Sequence, residues 1–469
     1  MKKTFLIAIL ILTLTLAISS SSYVEDTSIQ LTGLKHSSQA WGDFNLDGNW
    51  DLAICGEANN PKTIIYEFNS NGQPIQKDFE IINVTRCSIN WADINNNGWD
   101  DLTISGINHD GIFLKIYKNI NGTKFQEYQN LTGVAYSNTL YGDLNNNGWL
   151  DLVAIGCNEV HNATPTKNIH NCNKIISRVY INNNGTLEYS EQWSSNLANV
   201  WKGSIALGDY TNNGFLDLAL SGTTTNTSSG AITHLYMNNG TTFNLDENNI
   251  LEGIFWGSLA FSDYNNNGNL DLFITGRNSS GQPITKIFQN DVHIYKNHSM
   301  PIPPTDIKLD VNDGKIHVSW NTEQEEPLSF NLKAYYYRYQ VGTSTIIDTK
   351  YAVSPLYPIS SNPSQGYFGN MLNKQSYRFD SPNRCTYVQI QTVDASMRKS
   401  EWSEPVNISF TSNRGSGYDE DCRGSDQPTI AQLGGGGGGT QVEAYQEYIR
   451  AEEERRAQEE LTPFETDQT

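Results

Sequence analysis

Five copies of one nine-residue stretch place oxygen-bearing side chains at alternate positions. The first copy offers Asp43, Asn45, Asp47, Asn49 and Asp51, and the second Asp93, Asn95, Asn97, Trp99 and Asp101. The third offers Asp143, Asn145, Asn147, Trp149 and Asp151, and the fourth Asp209, Thr211, Asn213, Phe215 and Asp217. Asp263, Asn265, Asn267, Asn269 and Asp271 complete the set, and glycine holds position 6 in every copy. A hard cation such as calcium takes six to eight oxygens, and alternate residues of a tight loop can turn several inward. Glycine accepts the positive φ that a sharp reversal needs. Side chains at positions 1, 3, 5 and 9 would be ligands, and position 7 would give its backbone carbonyl.

An Asn-Gly turn alone would account for one copy, since both residues favour turns without any metal. Turn chemistry does not require aspartate at both ends five times over. The expectation is therefore calcium, in up to five structural sites. The first loop has three carboxylates and the others lean on asparagine, so affinities of about 10⁻⁴–10⁻³ M, the extracellular range, are expected. The loops are shorter than the EF-hand loop, lack its terminal glutamate and have no flanking amphipathic helices.

The elements that must position these loops recur with them. First aspartates lie 50, 50, 66 and 54 residues apart. Each loop enters a buried-looking strand ending in glycine (Gly56, Gly106, Gly156, Gly222, Gly276), followed by a strand carrying Tyr66, Tyr117, Tyr180, Tyr236 or Phe288. Four copies continue into Asn71-Gly72, Asn121-Gly122, Asn184-Gly185 or Asn239-Gly240, a strong hairpin signal. About four short strands per repeat, without helical periodicity, predict an all-β chain built as a β-propeller. The 37 residues from Asp263 to Ser299 fall short of one repeat, and the 21 from Ser22 to Gly42 supply the difference. Five blades are expected, with Ser28–Thr32 closing the ring as the last blade's missing strand.

This loop, with its aromatic and small-residue lead-in, resembles the FG-GAP/VCBS type of repeat, which also builds the integrin alpha-subunit propeller. The resemblance covers residues 22–299. It implies calcium held by aspartates 1 and 9 and the side chains at 3 and 5. The asparagine-rich positions 3 and 5 and the smaller number of blades depart from the integrin pattern.

Residues 1–21 read as a secretory signal: Lys2 and Lys3, an apolar run from Phe5 to Ile18, then small residues. The run is short for a membrane span, which needs about 20 residues. Membrane attachment is expected only through this segment if it stays uncleaved. Residues 300–304 form a proline-rich linker. Alternating strands over 305–412 resemble a fibronectin type III domain, with Trp320 in the second strand, Tyr387 at a tyrosine-corner position and Ser400–Glu404 before the last strand. The stretch from Lys350 to Pro382 is longer than that family usually has. Residues 413–440 are a Gly-rich linker, and 441–469 an acidic tail, disordered or a short helix.

A net charge of −20 without a basic run excludes phosphate-neutralising nucleic-acid binding. Six cysteines fit an oxidising compartment, with Cys157 paired to Cys172, Cys55 to Cys87 and Cys385 to Cys422. His161 and His170 inside the Cys157–Cys172 segment would also suit zinc, but the irregular spacing favours the disulfide. Sequons at Asn83, Asn121, Asn130, Asn184, Asn239 and Asn407 permit glycosylation. No catalytic constellation is present in the sequence. The expected function is calcium-stabilised adhesion, or binding of an extracellular protein or glycan through loops at one face of the disc. Trp193, Trp201 and Trp256 could stack on sugars if exposed, but blade cores also use tryptophan, and the core is where they are expected. A polysaccharide-active enzyme of lyase type and a surface-layer component are the alternatives.

Overall fold

The computed structural model describes residues 25–291 except 48, 70, 161–170, 266 and 268. It further describes 301–322 except 313 and 314, and the stretches 329–340, 344–348, 376–380, 386–393 and 400–408. The signal, most of the 292–304 connection, the Gly-rich linker, the acidic tail, His161, His170, Cys385 and Cys422 lie outside the described residues.

The repeat becomes five successive antiparallel meanders. Their first strands are Lys35–Gly42, Thr85–Ala92, Ala135–Gly142, Trp201–Gly208 and Ile254–Ser262. Each runs into an aspartate-led loop. The second strands open on position 9 of that loop: Asp51–Glu57, Asp101–Ile107, Asp151–Glu159, Asp217–Thr223 and Asp271–Asn278. Third strands are Pro61–Phe68, Ile112–Ile120, Lys174–Asn183, Ala231–Asn238 and Pro283–Phe288. Fourth strands follow in four units: Pro74–Lys77, Lys124–Leu131, Thr186–Tyr189 and Phe243–Leu245. The alternation of Leu, Ile and Val on the second strands buries them on both faces, so that each unit packs between neighbours. Ile89, Leu102 and Ile104 share a cluster with Phe44 and Ile65 of the unit before.

The expected ring-closing strand is not formed. Ser28–Thr32 has no strand structure; a turn at Thr27–Ser28 is held by the Ile29 N–H on the Asp26 carbonyl at 3.2 Å. Ser28 donates from its N–H and its hydroxyl to Asp26 Oδ1, and the Gln30 amide donates to Thr27 O, local bonds that short polar segments offer as an alternative to ladder pairing. The fifth unit has three strands among the described residues, and no closed sheet is found.

The C-terminal segment forms two antiparallel sheets. One has three strands, Thr305–Asn312, Lys315–Asn321 and Ser376–Asp380; the other has four, Ser344–Asp348, Ser329–Gln340, Thr386–Val393 and Val406–Ile408. Ile316, Val318 and Trp320 share a core with Val388 and Ile390, so Trp320 is a core residue. Ser400 and Ser403 dock along the 386–393 strand, their hydroxyls accepting from the N–H groups of Thr392 and Ile390 at 3.0 Å. Leu46 and Trp99, from the first two loops, belong to the same apolar cluster.

Two disulfides form as expected, Cys55–Cys87 between the first two units and Cys157–Cys172 across the insertion. All six named sequon asparagines are exposed. Among the described residues no helix is long and apolar enough to cross a membrane.

Candidate metal centre

Each loop is wound around the carboxylate at position 1. Asp93 accepts the Asn97 N–H at 3.0 Å and the Gly98 N–H at 2.7 Å. Asp143 repeats this with Asn147 and Gly148, and Asp209 with Asn213 and Gly214. Asp43 and Asp263 each accept from the N–H of position 5 at 3.0 Å. The position 5 side chain in turn accepts the N–H of position 7, at 2.9 Å in the second loop and 2.8 Å in the first. Position 4 is left-handed in Leu46, Asn96, Asn146 and Asn212, a conformation asparagine tolerates and leucine does not favour.

The position 9 carboxylate closes the loop from the other side. Asp151 accepts from Leu144 N–H at 2.9 Å and from Asn182 N–H at 2.8 Å. Asp51, Asp101 and Asp217 bond in the same way to a loop N–H and to a third-strand N–H, and Asp271 to the N–H groups of Tyr264 and of Asn290, just past the third strand. Position 3 contributes unevenly. Asn95 and Thr211 donate to the position 9 carboxylate at 2.9 Å, whereas Asn45, Asn145 and Asn265 accept from the N–H of position 5 at 3.1 Å.

Positions 1, 3, 5 and 9 are thus gathered in every loop. Position 7 side chains turn elsewhere: Trp99, Trp149 and Phe215 lie against the hairpin glycines Gly122, Gly185 and Gly240. A Cβ on Gly122 would come within 2.7 Å of the Trp99 ring. The Asn-Gly hairpins therefore need glycine both for a φ of +69° at Gly122 and for room beneath the aromatic ring.

Burial gives the position 9 aspartates their electrostatic character. It pushes Asp51 up to about 8, with Asp43 and Asp47 adding repulsion. Asp217 is likewise raised to about 8 by burial and by Asp209. Asp101 and Asp151 rise to about 7, again through burial first and then the neighbouring Asp93 and Asp143. Burial also raises Asp271. Among the described residues no lysine or arginine pairs with any of these five. A buried carboxylate beside a second one is stabilised by a proton or by a cation.

The donor chemistry fits a hard cation. Carboxylate, amide and carbonyl oxygens surround each loop, without thiol or imidazole, and an ionised carboxylate keeps lone pairs after accepting one N–H per oxygen. No group of three His, Cys, Asp or Glu side chains is assembled among the described residues, so amide and backbone oxygens would have to complete each shell.

Sequence reasoning missed the residues that tie one loop to the next. Asn119 donates to Phe44 O of the preceding loop at 2.7 Å and to Asp100 O of its own at 3.0 Å. Asn182, Asn238 and Asn290 repeat this bridge to Ile94 O, Leu144 O and Tyr210 O at 2.8 Å. A second set of bridges runs from position 4, where Asn96 and Asn146 donate to Gly148 O and Gly214 O at 3.0 Å. The signal was an asparagine two residues after the third-strand aromatic: Tyr117 and Asn119, Tyr180 and Asn182, Tyr236 and Asn238, Phe288 and Asn290. The first unit has Phe68 there instead, and among the described residues no repeat unit precedes it.

Residues 143–220, from the third loop through the fourth, match the model of the FG-GAP-like repeat family. No curated protein matches the chain. Among solved structures, the Trypanosoma rangeli sialidase in complex with sialic acid is 10% identical at a TM-score of 0.31, covering 84% of this chain and 76% of that one. The same sialidase with the inhibitor DANA is 10% identical at 0.32, covering 77% and 73%. Saccharomyces cerevisiae Sqt1 is 10% identical at 0.27, covering 79% and 95%. Likeness at these TM-scores carries no argument about this chain's activity.

Proposed function

We propose that the chain is an extracellular binding module: a calcium-stabilised, five-bladed propeller followed by a fibronectin type III-like sandwich, secreted or held at the cell surface. The observation that carries the calcium reading is the row of buried position 9 carboxylates, each beside a second carboxylate and without a cationic side chain among the described residues. Bound calcium would neutralise each pair and draw the oxygens of positions 1, 3, 5, 7 and 9 into one shell. The protein's own residues already fix the turn and hold the backbone ready. The role of the ion is structural, and binding rather than turnover is the activity of the module. The FG-GAP-like match and the two disulfides support an extracellular setting.

Calorimetric titration of the chelated full chain with calcium tests this. The expected result is several sites with dissociation constants of about 10⁻⁴–10⁻³ M. An absence of heat up to 10 mM calcium, about tenfold above the weakest expected constant, would overturn the calcium reading.

A further inference from the structure

The first strands carry a second repeated feature, at the end opposite the aspartate loops and roughly 20 Å away along the strand. Pairing between first and second strands slips by one step in every unit, between Lys35 and Ser38, Thr85 and Ser88, Trp201 and Ser204, and Phe255 and Ser258. The third unit does the same beside Ala135. One residue per unit is left-handed there: His36, Arg86, Tyr136, Lys202 and Trp256, with φ of 48–52°. The glycine near the end of each second strand makes room for the bulge. A Cβ on Gly106 would stand 2.8 Å from Thr85 O, and one on Gly222 2.9 Å from Trp201 O. Bulges re-aim a side chain, and these five aim together.

The side chains meet across all five units. Arg86, only 5% exposed, donates from Nε to the Tyr136 hydroxyl at 2.7 Å and lies 3.7 Å from Glu57, which also faces His36 at 3.7 Å. Tyr136 meets Trp201 of the fourth unit and Trp256 of the fifth edge to face, both at 5.5 Å between centroids. The Lys202 ammonium sits 3.7 Å from the Trp201 ring centroid and 5.4 Å from that of Trp256. It has no carboxylate within ion-pair distance among the described residues. Trp193 and Trp201 are core residues, as expected, but Trp256 is 51% exposed and so departs from the expectation. Both disulfides brace this end: Cys87 follows Arg86, and Cys157–Cys172 packs against Trp201 and Tyr136.

We propose that this cluster is a binding site for an acidic saccharide, a sugar whose ring stacks on Trp256 and whose carboxylate pairs with Lys202. Lys35 and Arg86 share a single carboxylate, Glu57, and Lys202 has none within ion-pair distance among the described residues, so on a chain whose net charge is −20 this spot runs against the protein's own field. A half-exposed indole offers a flat apolar platform with a polar edge. A rigid platform beside a cation suits a ring that bears its charge on a short arm. An extended acidic peptide would instead need a line of cations. The inference deepens the binding-module reading and rests on it.

Calorimetry on the full chain, in calcium and in chelator, tests the site with three probes: a glucuronate-containing tetrasaccharide, its methyl ester and polyglutamate. The expected result is binding of the tetrasaccharide and at least tenfold weaker binding of the ester. Lys202→Gln and Trp256→Ala should each weaken the sugar tenfold or more while leaving the calcium-induced rise in thermal midpoint intact, which shows the scaffold still folded. Absence of sugar binding, equal binding of the ester, or indifference to both substitutions would overturn the site. Polyglutamate bound as tightly and lost in the same variants would assign it to peptides instead. Loss of the calcium effect alone would count against the scaffold reading and not against the site.

Discussion

A carboxylate buried beside another is held ionised only at a cost, and in this protein that cost recurs at Asp51, Asp101, Asp151 and Asp217. Their folded pKa values of about 7 to 8 lie well above the roughly 3.9 of an unfolded aspartate. The folded chain therefore holds protons that the unfolded chain releases first. The resulting stability is fully present below pH ~4 and is lost as pH rises through the folded values. In chelator, the thermal midpoint should fall between pH 5.5 and pH 8, which differential scanning calorimetry reads; a midpoint that rises over this range would contradict the assignment. Calcium should flatten the dependence, because the ion replaces the proton. Asp47 supplies a second residue-level test. Its Oδ1 accepts Asn49 N–H at 2.8 Å, the bond that asparagine makes in the other four loops. Asp47→Asn should keep the turn and the chelated midpoint while weakening the tightest calcium site about tenfold, or ~1.4 kcal/mol. That positions 1, 3, 5 and 9 of each loop come together could be read from the sequence, because charge at fixed spacing survives any detail of packing. The left-handed Arg86 and Lys202 could not, since nothing in their types announces a bulge.

Between loops, the structural link is one asparagine per unit. Asn182 makes two hydrogen bonds from its side-chain amide and accepts Gly185 N–H at 2.8 Å, all buried. Truncating it leaves buried carbonyls and an N–H unsatisfied, at ~1–3 kcal/mol for each group that finds no water. Asn182→Ala should therefore destabilise the protein by about 2–4 kcal/mol in chemical denaturation, whereas the exposed neighbour Asn183→Ala should change it by less than about 0.5 kcal/mol. Equal effects of the two would remove the staple from the account. The strands themselves were legible, because hydrophobic runs, Asn-Gly hairpins and the 50-residue period all pointed the same way. The staples were not, because an asparagine two residues past a tyrosine looks like one more polar position in an asparagine-rich chain. The Ser28–Thr32 strand was expected from the arithmetic of closure alone, and the local bonds of Asp26 with Ser28 show why arithmetic is not enough.

At the scale of the molecule, the two ends of each first strand do different work. One end gathers carboxylates and amides in five loops; the other gathers His36, Arg86, Tyr136, Lys202 and Trp256 from the same five units. A net charge of −20 concentrates cations at the first and makes the second exceptional. Thermal unfolding of the full chain in 10 mM calcium against chelator asks whether calcium holds the loops. With dissociation constants of about 10⁻⁴–10⁻³ M, each occupied loop adds ~1.4–2.7 kcal/mol to the folded state. Calcium should raise the midpoint by about 10 °C or more, with a rise that grows with calcium concentration and shrinks when Asp43, Asp93, Asp143, Asp209 and Asp263 are replaced by asparagine. A midpoint indifferent to calcium would mean that the five loops are turns closed by their own hydrogen bonds, and the metal assignment would fall.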